Sequence, residues 1–296
     1  ILFLFCCSTE VGLIGYTEKG QDTNGEIVDS SQSEPDAPQD STEPSTEPDP
    51  QGHSGITGYT YLHLRQVACP ACVGETQEIR IDFQAEFHQP ISDSHSDWVL
   101  TPGQCVTNLV VTDPSTIPQP VGSSISVNNP AHQFTAPAIG QGYYQTDNIW
   151  ESQLQRDATY EVVTEVGKYS FISSHGFDFI EPYTMLYVDP SYAFAAPIYR
   201  TGASFSWAPS SPNHVFVITI QIFSYDGSQM LGLVSCAGPD NGFMNIPQEY
   251  LYNYTAGSLA AIYLSRHKIE LVETEINNSH IETHMEWEVV GTGTIQ

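Results

Sequence analysis

Apolar and polar side chains alternate along much of the chain after residue 55. Over Glu78–His88, the apolar side chains Ile79, Ile81, Phe83, Ala85 and Phe87 are interleaved with Glu78, Arg80, Asp82, Gln84, Glu86 and His88. Successive side chains of a strand point to opposite faces, so this run predicts a strand with one buried face and one polar face. Gly58–Val67 repeats the pattern, with Tyr59, Tyr61 and His63 on one face. Val215–Phe223 (VFVITIQIF) is apolar on both faces, as befits a central strand covered on each side. Shorter strands are predicted at Val106–Thr112, Ser123–Val127, Tyr160–Glu165 and Phe177–Ile180. Further ones follow at Met230–Val234, Ala260–Leu264, Ile269–Glu273 and Ile281–Val290.

Turn residues separate these runs. Asp226-Gly227 follows Val215–Phe223 and precedes Met230–Val234, a hairpin signal, and Asn241-Gly242 marks a second compact turn. Helical spacing is confined to single turns at Ile149–Leu154 and Gln248–Tyr252. Many short strands with few helices predict an all-β fold of antiparallel β-sandwich architecture. Tyr192–Arg200 reads as a joint, giving sandwiches at about residues 56–190 and 195–296, with a single fused barrel as the alternative. The second half has one Cys, so it lacks the Cys…Trp…Cys spacing of immunoglobulin domains.

Residues 1–55 break the pattern. Ile1-Leu2-Phe3-Leu4-Phe5 is too short to span a bilayer and reads as the tail of a signal-peptide hydrophobic region. Leu4, then Cys6 and Cys7, then Ser8 resembles the lipobox of bacterial lipoproteins. That resemblance implies Leu4 at the −3 position, the small Cys6 at −1, and Cys7 as the acylated first residue of the mature chain. It further implies export to the bacterial cell envelope, with the membrane engaged through the N-terminal lipid. Residues 8–55 contain the tandem repeat Ser41-Thr42-Glu43-Pro44-Ser45-Thr46-Glu47-Pro48, and residues 18–55 hold only Ile27, Val28 and Ala37 as aliphatic side chains. So little apolar surface cannot offset ordering entropy, which predicts a disordered acidic linker between anchor and head.

The charge balance narrows the partners. Of 296 residues, 35 are acidic and only 8 are Lys or Arg, a formal charge of −27. Phosphate-backbone recognition needs clustered cations, so nucleic acid is excluded as a partner. The scarcity of basic residues also excludes long-range attraction to an anionic membrane.

Removal of Cys6 and acylation of Cys7 would leave Cys69, Cys72, Cys105 and Cys236. In an exported protein these predict two disulfides, with three possible connectivities. Cys69-Pro70-Ala71-Cys72 has the spacing of a redox motif, but no helix follows it to lower the thiol pKa. The residues His280, Glu282, His284, Glu286 and Glu288 alternate along a strand, so the two His stand roughly 13 Å apart and cannot chelate one ion alone. This run reads as a solvated polar face; no metal centre and no cofactor is expected.

Ser173-Ser174-His175-Gly176 lacks the glycine-flanked nucleophile of a hydrolase elbow. Asp178 and Glu181 would face opposite ways on a strand, and Asp226, Asp240 and Asn241 suit either weak calcium ligation or turn formation. Tyr143, Tyr144, Trp150, Tyr183, Tyr187, Tyr192, Tyr199 and Trp207 are candidates for an aromatic platform facing a glycan or protein ligand. Two functional classes follow: a lipid-anchored binding or structural protein, and a tethered hydrolase of polysaccharide or peptide.

Overall fold

The computed structural model describes residues 55–67, 79–91, 100–108, 116–147, 149–155, 158–172, 196–210 and 214–296. They form fifteen strands: β1 Ile56–Val67, β2 Ile79–Ile91, β3 Cys105–Thr107, β4 Ser124–Asn128, β5 Gln133–Gly140, β6 Tyr143–Thr146, β7 Thr159–Val163, β8 Lys168–Ile172, β9 Ala196–Ile198, β10 Ala203–Ser206, β11 Val215–Phe223, β12 Met230–Pro239, β13 Phe243–Ile246, β14 Leu259–Thr274 and β15 Ser279–Ile295. One short helix, α1 Gln248–Leu251, and 3-10 turns at Glu151–Gln153 and Ile276–Asn278 complete the described elements. The fold is all-β, as the alternation predicts.

Thirteen strands share one sheet, in the order β3-β12-β11-β14-β8-β7-β4-β5-β6-β2-β1-β15-β9, and β14 also pairs with β15. That extra pairing closes a circuit through β14, β8, β7, β4, β5, β6, β2, β1 and β15. The link between β14 and β8 is the single pair Thr274–Tyr169, and β6 covers Phe83–Glu86 of β2. β11, β12 and β3 extend from the first half of β14, while β10 and β13 form a separate two-stranded sheet. The strands of the two expected halves therefore share a sheet: β1 lies between antiparallel β2 and parallel β15. All described residues belong to one compact unit, His53–Gln296. The boundary expected near residues 190–195 thus separates no independent bodies among them. A parallel pairing between strands more than 200 residues apart leaves no local trace.

Side-chain parity sets the inside of the circuit. Leu62 and Leu64 of β1 stand beside Phe83 and Ile81 of β2 and Met285 and Trp287 of β15, all buried in the main core. The same core takes Ile125, Val127, Phe134, Tyr160 and Phe171 from the far strands, and Ile218, Ile220, Ile262 and Leu264 from β11 and β14. Burying each such side chain stabilises the fold by roughly 1.5–3 kcal/mol.

Arg266 also points to this inner side, opposite Trp287 and Phe216. Its Nε donates to Asp240 Oδ2 at 2.7 Å, with both side chains fully buried. Asp240 Oδ1 accepts from Trp207 Nε1 at 2.6 Å, and the Trp207 ring stacks on Phe216 at 3.7 Å. Asp240 therefore joins β14 to the segment after β10, and the loop-calcium reading does not apply to it.

Several sequence expectations change in detail. Ala260–Leu264 and Ile269–Glu273 belong to one continuous strand, β14. The two helical turns appear as the 3-10 turn at Glu151–Gln153 and as α1. Asp226-Gly227 forms the β11–β12 turn: Gly227 takes φ 71°, a conformation that favours glycine. Asp226 Oδ1 accepts bonds from Ser224 Oγ, Ser228 N and Ser228 Oγ, which hold this carboxyl down at about 2. Phe177–Ile180 and residues 109–112 lie outside the described residues.

Candidate functional site

The opposite face of the β1–β15–β14 ribbon is polar, yet it is buried. Register explains how the side chains meet. The β14–β15 connection places Asn277 and Asn278 at φ 55° and 47°, and Thr274 pairs with Ser279. Counting back from there sets Leu271 opposite Glu282, Ile269 opposite His284, His267 opposite Glu286, and Ser265 opposite Glu288. Parallel β1 adds Tyr59, Tyr61, His63 and Arg65 to those same four rows, and antiparallel β2 adds Glu86, Gln84 and Asp82 to the first three. Neighbouring strands lie about 4.8 Å apart, so each row brings its side chains within contact distance.

Four contacts organise the centre. His267 Nδ1 lies 2.8 Å from His284 Nε2. His267 Nε2 bonds Ser265 Oγ at 2.7 Å and stands 3.8 Å from Glu286 Oε1. Tyr61 Oη donates to Glu286 Oε2. To one side, Arg65 Nε donates to Glu288 Oε1 at 2.6 Å. His63 Nε2 stands 3.6 Å from that same oxygen, and His63 Nδ1 lies 3.7 Å from Asp82 Oδ2. His63 Nε2 is buried and makes no hydrogen bond.

Burial pushes the imidazoles of His267 and His284 toward the neutral form, and His267 adds to the effect on His284, which falls to about 3. His63 behaves oppositely: burial opposes its charge, but Glu286, Asp82 and Glu288 outweigh burial and raise it to about 10. Burial likewise opposes ionisation of Glu286, and the surrounding His267, His63 and His284 with the Tyr61 hydroxyl outweigh it and hold the carboxyl below the usual carboxylate range. Burial, reinforced by Glu286, raises Tyr61 and keeps it a donor. The centre thus combines two neutral imidazoles, an ionised carboxylate and a phenol donor.

Two groups of side chains bring metal-ligating atoms close together. His267, His284 and Glu286 each bring one ligand-capable atom within 4.8 Å of the others, and so do His63, Glu286 and Glu288. The centre also contains a chain from Ser265 through His267 to His284, which has the connectivity of nucleophile, base and orienting group. However, β14 is paired with β11 and β15 on both sides of Ser265. Backbone N–H groups near the hydroxyl are therefore directed into sheet pairing rather than toward an oxyanion.

These positions correct the sequence reading. Glu282, His284, Glu286 and Glu288 are buried, so this face is not solvated as expected. His280 is half-buried and lies outside both groups, in agreement with its spacing from His284. Of the candidate aromatics, Tyr144 and Trp207 are each 1% exposed and serve the core, whereas Trp150 and Tyr199 are 75% and 52% exposed. Cys105 and Cys236, directly paired between β3 and β12, form a disulfide. Cys7, Cys69, Cys72, Ser173–Gly176, Asp178, Glu181, Tyr183, Tyr187 and Tyr192 lie outside the described residues. No protein-family model matches the chain, and no curated protein matches it.

Proposed function

We propose that this is an exported, lipid-anchored binding protein of the bacterial cell envelope, its β head carried on an acidic tether. The Cys105–Cys236 disulfide carries the reading, because such bonds persist in oxidising compartments and are rare in the cytosol. The Leu4–Cys7 resemblance and the acidic linker that follows support the anchor. Exposed Trp150 and Tyr199 offer aromatic surface to a glycan or protein ligand.

The test is fractionation of the full chain, expressed behind an upstream signal. Wild type is expected in the detergent phase, and the Cys7→Ala variant in the aqueous phase. Equal partitioning of the two into detergent would remove lipidation at Cys7.

A second reading, a tethered hydrolase of polysaccharide or peptide, draws on the Ser265–His267–His284 chain. The binding reading predicts no labelling of Ser265 by a fluorophosphonate probe. Labelling of the wild type that is lost in Ser265→Ala would establish the hydrolase instead.

A further inference from the structure

We propose that His267, His284 and Glu286 bind one divalent transition-metal ion, with zinc the best-suited candidate. The inference deepens the binding reading by naming a ligand. It rests on that reading only for the cellular setting, since the site is built from the head alone.

The donor set is the first argument. Two imidazoles and one carboxylate suit zinc and the other borderline divalent metals, whereas calcium and magnesium favour all-oxygen sites. A tetrahedral ion with bonds near 2.0–2.1 Å needs donors roughly 3.3 Å apart. One ligand-capable atom from each of the three side chains lies within 4.8 Å of the others, and His267 Nδ1 stands 2.8 Å from His284 Nε2 while His267 Nε2 faces Ser265. Binding requires side-chain rotations that bring these atoms to the spacing of a tetrahedral ion. Facing ring nitrogens at 2.8 Å share a proton, or a cation takes its place.

The supporting groups are the second argument. Ligating histidines characteristically donate their other N–H to a neighbour, and ligating carboxylates are themselves hydrogen-bonded. Ser265 Oγ stands at the far nitrogen of His267, and Tyr61 Oη holds the second oxygen of Glu286. Both partners are in place around this one triad.

Charge is the third argument. Glu286 and Glu288 are buried on this face, and Arg65 and His63 pair with Glu288. Buried carboxylates are costly without compensating positive charge. Across Glu286, His63 presents a buried Nε2 that makes no hydrogen bond. A divalent ion adds positive charge directly at the buried Glu286 carboxylate.

The test uses the full chain without an affinity tag, stripped with chelator and titrated with zinc by calorimetry. One equivalent per chain is expected. Loss of a ligand in His284→Gln should weaken zinc by at least about 100-fold, and loss of a supporting bond in Tyr61→Phe by about 10-fold. His280→Gln should bind as wild type does. Absence of saturable zinc binding, or unchanged binding in His284→Gln, overturns the site.

Zinc-edge X-ray absorption on the loaded wild type needs no variant. Two imidazoles with oxygen donors support the assignment; sulfur donors, which would point to Cys69 and Cys72, overturn it. None of these outcomes bears on partitioning of Cys7→Ala, so the metal site and the anchored reading fail separately.

Discussion

Asp240→Asn is expected to destabilise the head by about 3–5 kcal/mol, because it leaves the Arg266 guanidinium in the core without its counter-charge. Both side chains are fully buried, and Asp240 also receives Trp207 Nε1 and the Ser210 backbone N–H. Domains are stable by only about 5–15 kcal/mol, so the change removes a large share of the total. It should appear in urea titration as a lower midpoint at unchanged slope. Pairing it with Arg266→Met should recover part of the loss, since the stranded charge is gone. Recovery stays incomplete because the new amide has one acceptor oxygen where the carboxylate had two, so either Trp207 Nε1 or the Ser210 N–H faces an NH2 group. A loss under about 1 kcal/mol in Asp240→Asn would show that water or another anion reaches Arg266.

Opening the Cys105–Cys236 bond is expected to have an effect of similar size. The bridge spans 131 residues, and the chain-entropy account assigns a loop of that length about 5 kcal/mol. Among the described residues β3 is three residues long and pairs with β12 alone, so the bond ties a short edge strand that flanking backbone bonds from Gly103, Gln104 and Asn108 also hold. Cys105→Ser/Cys236→Ser should lower the urea midpoint, and reductant should lower it equally in wild type. A wild type indifferent to reductant, with both thiols blocked by alkylating agent before any reduction, would contradict the bridge.

How much was legible follows from which periodicities are local. The run Glu78–His88 showed its two faces in sequence, and β2 buries Ile81, Phe83, Ala85 and Phe87 as that pattern requires. Val215–Phe223 matched β11 residue for residue. The alternation predicts none of β5, β6, β8, β9, β10 and β13. β5 (QFTAPAIG) carries a proline and a terminal glycine, and its second half is exposed, so no strong alternation develops. β8 spans only five residues.

The candidate site was half legible. His284 and Glu286 were visible as polar positions of one strand, but spacing within that strand could not bring two histidines together. The missing partner comes from across the hairpin. Asn277-Asn278 is a turn signal between two strand-like runs, and counting outward from it sets His267 beside Glu286. His63 and Tyr61 arrive by the parallel β1–β15 ladder, whose register no turn encodes. Burial of the face was also out of reach, because alternation tells polar from apolar sides but not which polar side is covered.

The register of β14 against β15 underlies the whole account of the site. A slip of one residue would send His267 to the face opposite His284 and dissolve the cluster. The direct measurement is a nuclear Overhauser experiment on the chelator-treated full chain with labelled histidines. The account predicts a cross-peak between the rings of His267 and His284, whose centroids are 5.1 Å apart, and none between His280 and His284. A His280–His284 cross-peak without the His267–His284 one would contradict it.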